Sequence, residues 1–178
     1  MTYNPLQQHW GTFLLGYDWN IYGCGTYREP VSSARADVLL PRFMERLGRK
    51  LHAPVSYFAA LERRYSGCGS SSIPVHWHFV AACQHAEGIR DESEHLWSKH
   101  FGNCKIDLYD PQLDGVYYIS KLAAHPNGEF RFENLELLDY RGPSDLVEAA
   151  HANPYVPAHL KDRTHGEYLV IRHGPGDN

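Results

Sequence analysis

The chain has 178 residues and a formal net charge of −4, and 43% of its residues are hydrophobic. This length and apolar content suffice for one domain with its own core. No run of about 18 apolar residues is present, so the sequence predicts no membrane-spanning helix and no membrane partner. The first residues lack the basic and apolar segments of a secretory signal. The four cysteines show no zinc-ribbon spacing, which favours reduced thiols in a cytoplasmic protein.

Basic residues concentrate in one part of this acidic chain. The segment 28–64 contains eight Lys or Arg residues and four Asp or Glu residues. The net negative charge argues against a surface that binds nucleic acid throughout, but a local basic face is compatible with a short contact to phosphates. A solvated helix face with ordinary charges explains the same pattern, and both interpretations stay open.

Hydrophobic periodicity predicts a mixture of strands and helices. Residues 10–19 are aromatic but have no clear period. Gly23 and Gly25 interrupt the first predicted strand, where they mark a bulge or a close approach of another group to the backbone. The predicted elements are, in chain order, a strand over 20–27, a Ser-capped helix over 32–51, strands over 55–62 and 73–82 that form a hairpin, a helix over 92–101, a short strand over 105–109, a segment over 115–124 that is either helix or strand, and a strand over 129–133.

The helix predicted over 32–51 has an apolar side and a basic side. Its apolar residues recur at i, i+3, i+4 and i+7, the spacing of a buried stripe. Pro41 either kinks this helix or marks its first turn. The basic side gives our weakest prediction, contacts to DNA phosphates, and its residues are Arg42, Arg46 and Arg49.

The pair His76 and His78 is the strongest indication of chemistry. Side chains alternate between the faces of a strand, so both imidazoles leave the same face while Trp77 leaves the other. Two neutral imidazoles on rigid backbone are a suitable start for a divalent-metal site. A His-x-His pair by itself is more often structural than metal-binding.

A carboxylate on the neighbouring strand strengthens the metal prediction. If 55–62 pairs antiparallel with 75–82, Glu62 lies beside the histidines on the same face. Two imidazoles and a carboxylate with open coordination positions suit Mg²⁺ or Mn²⁺. The alternative for Glu62 is an exposed strand end that pairs with a neighbouring arginine.

Tyr118 and Lys121 follow, three residues apart, and share a face if their segment is a helix. A phenol with a pKa near ~10 is a poor nucleophile at neutral pH, and a nearby ammonium stabilises the phenolate. Core packing for the tyrosine and a solvated lysine explain the same residues. With a metal that polarises a phosphate, the tyrosine would form a covalent phosphotyrosine.

The order Glu62, His76-Trp77-His78, Tyr118-Ile-Ser-Lys121 resembles that of the HUH single-strand endonucleases. The closest branch is the replication initiators (Rep) of plasmids, phages and related elements that replicate by rolling circle. The resemblance covers residues 20–140. It implies an RRM-like or ferredoxin-like α+β fold, with a central five-stranded antiparallel sheet flanked by helices, over a domain of residues 1–141. Residues 142–178 are then a C-terminal elaboration of the same domain, with an unknown role.

The resemblance also implies an activity and a set of partners. His76, His78 and Glu62 would hold one Mg²⁺ or Mn²⁺, Tyr118 would attack, and Lys121 would assist. The substrate would be single-stranded DNA at an origin hairpin, nicked to leave a 5′-phosphotyrosine and a free 3′-hydroxyl, then rejoined. No Walker A sequence is present, so a separate host helicase would unwind the DNA.

The chain departs from the family pattern in its first motif and in its tyrosines. Only Thr26 remains of a strand that is usually rich in threonine. Leu122 follows the lysine where some phage initiators have a second tyrosine, so one tyrosine acts. Tyr117 replaces Tyr118 only if the register differs.

Three other functions stay open at the level of sequence. One is a single-strand transposase of the same class, and another is a DNA-binding repressor on the same fold without catalysis. The third is a hydrolase in which a metal-bound water attacks in place of tyrosine.

Overall fold

The computed structural model describes residues 5–63, 75–84, 87–113, 115–126 and 128–141. The predicted C-terminal elaboration over 142–178 lies outside these residues. No helix within the described ranges has both the length and the apolar character needed to cross a bilayer. The elements are α1 (Pro5–Leu15), β1 (Ile21–Thr26), α2 (Ser33–Leu51), β2 (Ser56–Glu62), β3 (His76–Ala82), α3 (Ile89–His100), β4 (Cys104–Leu108), α4 (Gly115–Ala123), β5 (Glu129–Glu133) and a 3₁₀ turn (Leu135–Leu137).

The five strands form one sheet in the order β4-β1-β3-β2-β5. Every pair of neighbouring strands is antiparallel. The predicted α+β class and five-stranded antiparallel sheet are therefore confirmed. The central strand β3 pairs with the preceding strand β2 on one side and with β1, more than 50 residues away in sequence, on the other.

Helices cover both faces of the sheet and enclose two cores. The helices α2 and α3 pack on one face, which we call the α2/α3 face, around Phe43 and Trp97. The helices α1 and α4 pack on the other, the α1/α4 face, around Leu14 and Ile119. Because β3 is buried along its whole length and β2 along all but its last residue, both strands are apolar or small at nearly every position.

The helix α2 shows how local sequence signals fix an element. Ser32 caps its N-terminus, where the side-chain oxygen accepts a hydrogen bond from the backbone N–H of Arg35. The C-terminus ends at His52 in the left-handed conformation. Pro41 lies inside the helix, so the alternative that it marks the first turn is wrong. The predicted stripe is buried at Leu40, Phe43, Met44 and Leu47.

Two other helices differ from the sequence-based expectation. The helix α1 occupies part of the aromatic segment for which no element was predicted. Its Trp10 ring lies 5.2 Å from the Phe58 ring and 4.9 Å from the Phe130 ring, so packing on the sheet stabilises a helix whose own periodicity is weak. The helix α3 begins at Ile89, three residues before the predicted start, because Ile89 is buried. The segment over 115–124 is helical, not extended.

The glycines of β1 allow a close approach of aromatic rings to the backbone. A Cβ atom on Gly23 would lie 2.2 Å from the Phe79 ring, and one on Gly25 would lie 2.4 Å from the Trp97 ring. The close approach is therefore the correct one of the two predicted alternatives. Since both glycines face α2 and α3, the residues between and beside them, Tyr22, Cys24 and Thr26, face the α1/α4 side.

We expect Gly25→Ala to lower the free energy of unfolding by about 1–3 kcal/mol, because the methyl group would overlap the Trp97 ring in a packed core. Without a clash, a Gly-to-Ala change stabilises the folded protein by about 0.4–1 kcal/mol, because it lowers the conformational entropy of the unfolded chain. The sign of the change in the free energy of unfolding therefore shows whether the clash is present. Urea denaturation measures it.

The matched control is Lys105→Ala on the neighbouring strand β4. The Lys105 side chain is 83% exposed, and its removal is expected to change stability by less than about 0.5 kcal/mol. A Gly25→Ala protein at least as stable as the wild type would contradict the packing described for β1.

Candidate active site

His76 and His78 lie side by side on the α1/α4 face of β3. Their ring centroids are 4.9 Å apart, and each residue is 8% exposed. The intervening Trp77 is fully buried on the opposite face among the residues of α2 and α3. The predicted alternation along this strand is therefore what places both imidazoles on one face.

Glu62 ends the neighbouring strand β2 directly opposite His76. Its Oε2 atom lies 3.1 Å from Nε2 of His76 and 2.8 Å from Nε2 of His78. The antiparallel register thus brings the carboxylate to the histidines on the same face, as the sequence predicted. One carboxylate oxygen faces two imidazole nitrogens.

Tyr118 completes this group from the helix α4, which crosses the same face. Its hydroxyl donates a hydrogen bond of 2.9 Å to Glu62 Oε2, and its ring lies 4.8 Å from the His78 ring. Tyr118 is 38% exposed, so a substrate can reach the phenol. The adjacent Tyr117 ring lies instead against Gly11 of α1, which identifies Tyr118 as the tyrosine of the site.

The electrostatics of the group follow from burial and from the shared carboxylate. Burial raises the pKa of Glu62, but hydrogen bonds from Tyr118 and His78 outweigh it and leave the pKa below its usual range. Burial lowers the pKa of His78, so its imidazole is neutral and able to bind a cation at neutral pH. Burial and the bond to Glu62 raise the pKa of Tyr118 to about 12, so the phenol is protonated in this arrangement.

Two residues of β1, Tyr22 and Cys24, belong to the site but were not identified from the sequence. The Tyr22 hydroxyl lies 3.1 Å from Nδ1 of His78 and so fixes that ring on the side away from Glu62. Cys24 pairs with His78 across the β1–β3 ladder. The alternation around Gly23 and Gly25 assigns both side chains to one face of β1, but only the pairing of β1 with β3 shows that this is the face of the histidines.

The donor atoms of this cluster fit a divalent cation. The ligand atoms of Cys24, His76 and His78 all lie within 4.8 Å of one another. Donors around a tetrahedral ion with bonds of ~2.0–2.3 Å are roughly 3.3–3.8 Å apart, so side-chain adjustments of about 1 Å would close the site. Glu62 Oε2 offers a further oxygen donor next to both imidazoles. The cluster is therefore a candidate metal centre.

The other predicted residues lie farther from this centre. Lys121 is exposed and follows Tyr118 by one turn of α4. The arginines Arg42, Arg46 and Arg49 are exposed on α2, which covers the opposite face of the sheet. The structure brings Glu62, the two histidines and Tyr118 together, but not the arginines, whose contacts to DNA stay a prediction.

A cleft of about 290 Å³ opens directly beside Tyr118. Its walls combine aromatic, apolar and charged side chains: Tyr22, Tyr109, Leu108, Leu113, the carboxylates of Asp107 and Asp110, and Lys105, which forms an ion pair with Asp107. A larger cavity of about 630 Å³ lies at the junction of α2 and β5. Its two arginines form ion pairs, Arg63 with Glu129 and Arg131 with Asp37. Tyr118 lines the smaller cleft but not this cavity, so we regard the smaller cleft as the binding region.

Comparisons with protein-family models, with curated proteins and with solved structures find no significant match to this chain. The functional argument therefore starts from the side-chain geometry of the site.

We expect Glu62→Ala to lower the free energy of unfolding by about 1–3 kcal/mol in the presence of EDTA, because two buried imidazoles and a phenol lose a charged acceptor. Glu45→Ala is the control. Glu45 is a 66% exposed side chain with one ion pair on α2, and its loss should cost less than about 0.5 kcal/mol. Equal effects of the two changes in urea denaturation would contradict the shared-acceptor arrangement.

Proposed function

We propose that the chain is a metal-dependent endonuclease that nicks and joins single-stranded DNA through a covalent bond to Tyr118. The observation that carries the proposal is the position of the Tyr118 hydroxyl, 2.9 Å from a carboxylate oxygen that itself lies within 3.1 Å of both imidazoles. A nucleophile is thus adjacent to a centre that can hold a cation. This is the arrangement that the sequence resemblance to the HUH Rep endonucleases implies.

The topology supports the same proposal. Along the segment from β1 to β4 the elements follow the order β-α-β-β-α-β, with the strands in the spatial order 4-1-3-2. That order is compatible with the ferredoxin-like or RRM-like fold of the proposed class. The strand β5 extends the sheet beside β2, and α4 supplies the tyrosine from the face that α2 and α3 leave free.

The chemistry assigned to the residues is an in-line transfer of a phosphodiester. The Tyr118 oxygen forms a bond to phosphorus, the bond from phosphorus to the 3′-oxygen breaks, and the departing 3′-oxygen takes up a proton. Glu62 Oε2 lies within hydrogen-bond distance of the phenol proton and can accept it as the new bond forms. A divalent cation, Mg²⁺ or Mn²⁺ on the sequence-based expectation, would polarise the phosphate. The reverse reaction with another 3′-hydroxyl rejoins a strand.

The cleft beside Tyr118 fits a flexible nucleotide chain better than a rigid duplex. The half-buried rings of Tyr109 and Tyr22 line it and offer aromatic edges beside which a splayed base can pack. Lys105, whose side chain is 83% exposed, can exchange its ion pair with Asp107 for a phosphate. Lys121, one turn from the nucleophile, is the residue proposed to stabilise developing charge. We propose that the substrate is an origin hairpin that starts rolling-circle replication in the cytoplasm, with a separate helicase.

The decisive experiment uses hairpin oligonucleotides with a randomised single-stranded segment, Mn²⁺ and denaturing gels. We expect a covalent adduct with 3′-end-labelled DNA but not with 5′-end-labelled DNA, and a 5′-labelled product that a polymerase can extend. EDTA should abolish the adduct. Tyr118→Phe should abolish it as well, while Tyr117→Phe, whose ring packs against α1, should retain it.

Two outcomes would contradict the proposed role of Tyr118. Cleavage by Tyr118→Phe without an adduct would indicate that a metal-bound water attacks. An adduct that survives in Tyr118→Phe but disappears in Tyr117→Phe would show that Tyr117, and not Tyr118, is the nucleophile.

We expect Lys121→Met to slow adduct formation by about 100-fold without abolishing it, because a charge that stabilises the transition state is lost while the nucleophile remains. Single-turnover rates measure this effect. Lys50→Met, on α2 across the sheet, is the control and should react at the wild-type rate. Equal rates for all three proteins would remove Lys121 from the mechanism.

A further inference from the structure

Cys24 lies beside the two histidines on the sheet. It is half-buried, faces the α1/α4 side between Tyr22 and Thr26, and lies directly across the ladder from His78. Its Sγ atom is within 4.8 Å of a ligand nitrogen of each histidine. A thiol next to two imidazoles on rigid strands has the composition of a transition-metal site.

The other described cysteines show what a packing role looks like in this fold. Cys104, on the adjacent strand β4, points toward α3, where its Sγ atom contacts the Ser98 hydroxyl at 3.5 Å and donates to the Glu94 carbonyl at 3.7 Å. Cys83 is buried just beyond the end of β3, among the residues of the α2/α3 core. Cys24 alone of these three belongs to a group of metal-ligand side chains.

We propose that Cys24 is a metal ligand together with His76 and His78, and that the centre therefore selects a thiolate-binding transition-metal ion such as Zn²⁺ over Mg²⁺. This inference rests on the metal centre of the proposed function and adds its metal class. Two imidazoles and a carboxylate alone would suit Mg²⁺ or Mn²⁺, but a thiolate donor favours softer ions. Glu62 lies beside both histidines as an oxygen donor or as a hydrogen-bond acceptor.

A divalent ion at this position would have a balanced charge. The thiolate of Cys24 and the carboxylate of Glu62 together neutralise the two charges of such an ion. Binding releases the thiol proton to solvent and forms the metal–sulfur bond, with no change of oxidation state.

Cobalt is the probe, because Co²⁺ replaces Zn²⁺ in such sites and reports its ligands by absorption. The full chain is titrated with Co²⁺ under nitrogen in a thiol-free reductant. Cys68, which lies outside the described residues, is replaced by Ser in every protein compared. We expect one equivalent to produce a thiolate-to-cobalt charge-transfer band in the near ultraviolet. One equivalent of Zn²⁺ should remove the band, and a large excess of Mg²⁺ should not.

The matched variants are Cys24→Ser and Cys104→Ser, which change the same atom on neighbouring strands. Cys24→Ser should lose the charge-transfer band and bind Zn²⁺ more weakly by at least ~100-fold. Replacing a residue that contacts a metal ligand but not the metal itself typically weakens binding by only ~10–100-fold. Cys104→Ser should behave like the parent protein. Circular dichroism establishes that both variants are folded.

The inference is overturned if Co²⁺ binds the parent protein without a thiolate band, or if Cys24→Ser keeps both the band and the affinity. In either case a covalent DNA adduct at Tyr118 would leave the proposed function standing. The metal class is overturned separately if Mg²⁺ displaces Co²⁺. If the parent protein binds no divalent ion and forms no adduct, the proposed function fails together with this inference.

Discussion

The candidate site depends on the alternation of side chains along β3, because the same strand supplies the histidines and the anchors that hold them. Trp77 and Phe79 are fully buried beneath α2 and α3. A shift of the strand by one residue would move both rings to the α1/α4 face and place the imidazoles in the apolar core beneath α2 and α3, at a large cost in free energy. His76 and His78 are therefore held on the opposite face by the packing of their neighbours.

The carboxylate of Glu62 connects this strand to the helix that carries the tyrosine. Its Oε2 atom is shared by two imidazoles from β3 and the phenol from α4. The helix itself is fixed by apolar side chains of its other face, Val116 and Ile119, which are buried against the sheet and α1. The position of Tyr118 is thus set by packing, and burial together with the bond to Glu62 raises the pKa of its phenol, which keeps it protonated.

Sequence periodicity predicts faces, but it does not predict which strands are neighbours. The sheet class, the helix α2 and the convergence of Glu62 with the histidines follow from periods of 2 and 3.6 residues and from one hairpin. The membership of Tyr22 and Cys24 could not be predicted, because it depends on the pairing of β1 with β3 across more than 50 residues. Because the sequence does not show which face of the sheet α2 covers, it also did not show that Arg42, Arg46 and Arg49 lie on the face opposite the histidines. The helix α1 was missed because its stability comes from contacts with the sheet.

Two of the three strands that supply the donor groups, β2 with Glu62 and β3 with the histidines, follow each other in sequence, but β1 with Cys24 pairs with β3 across more than 50 residues. The entropy of closing that long loop must be overcome before Cys24 meets the histidines, so the complete cluster forms late in folding. An ion that binds only the completed cluster stabilises the native state but not the transition state for folding. Such an ion lengthens the lifetime of the folded protein and leaves the rate at which it folds unchanged.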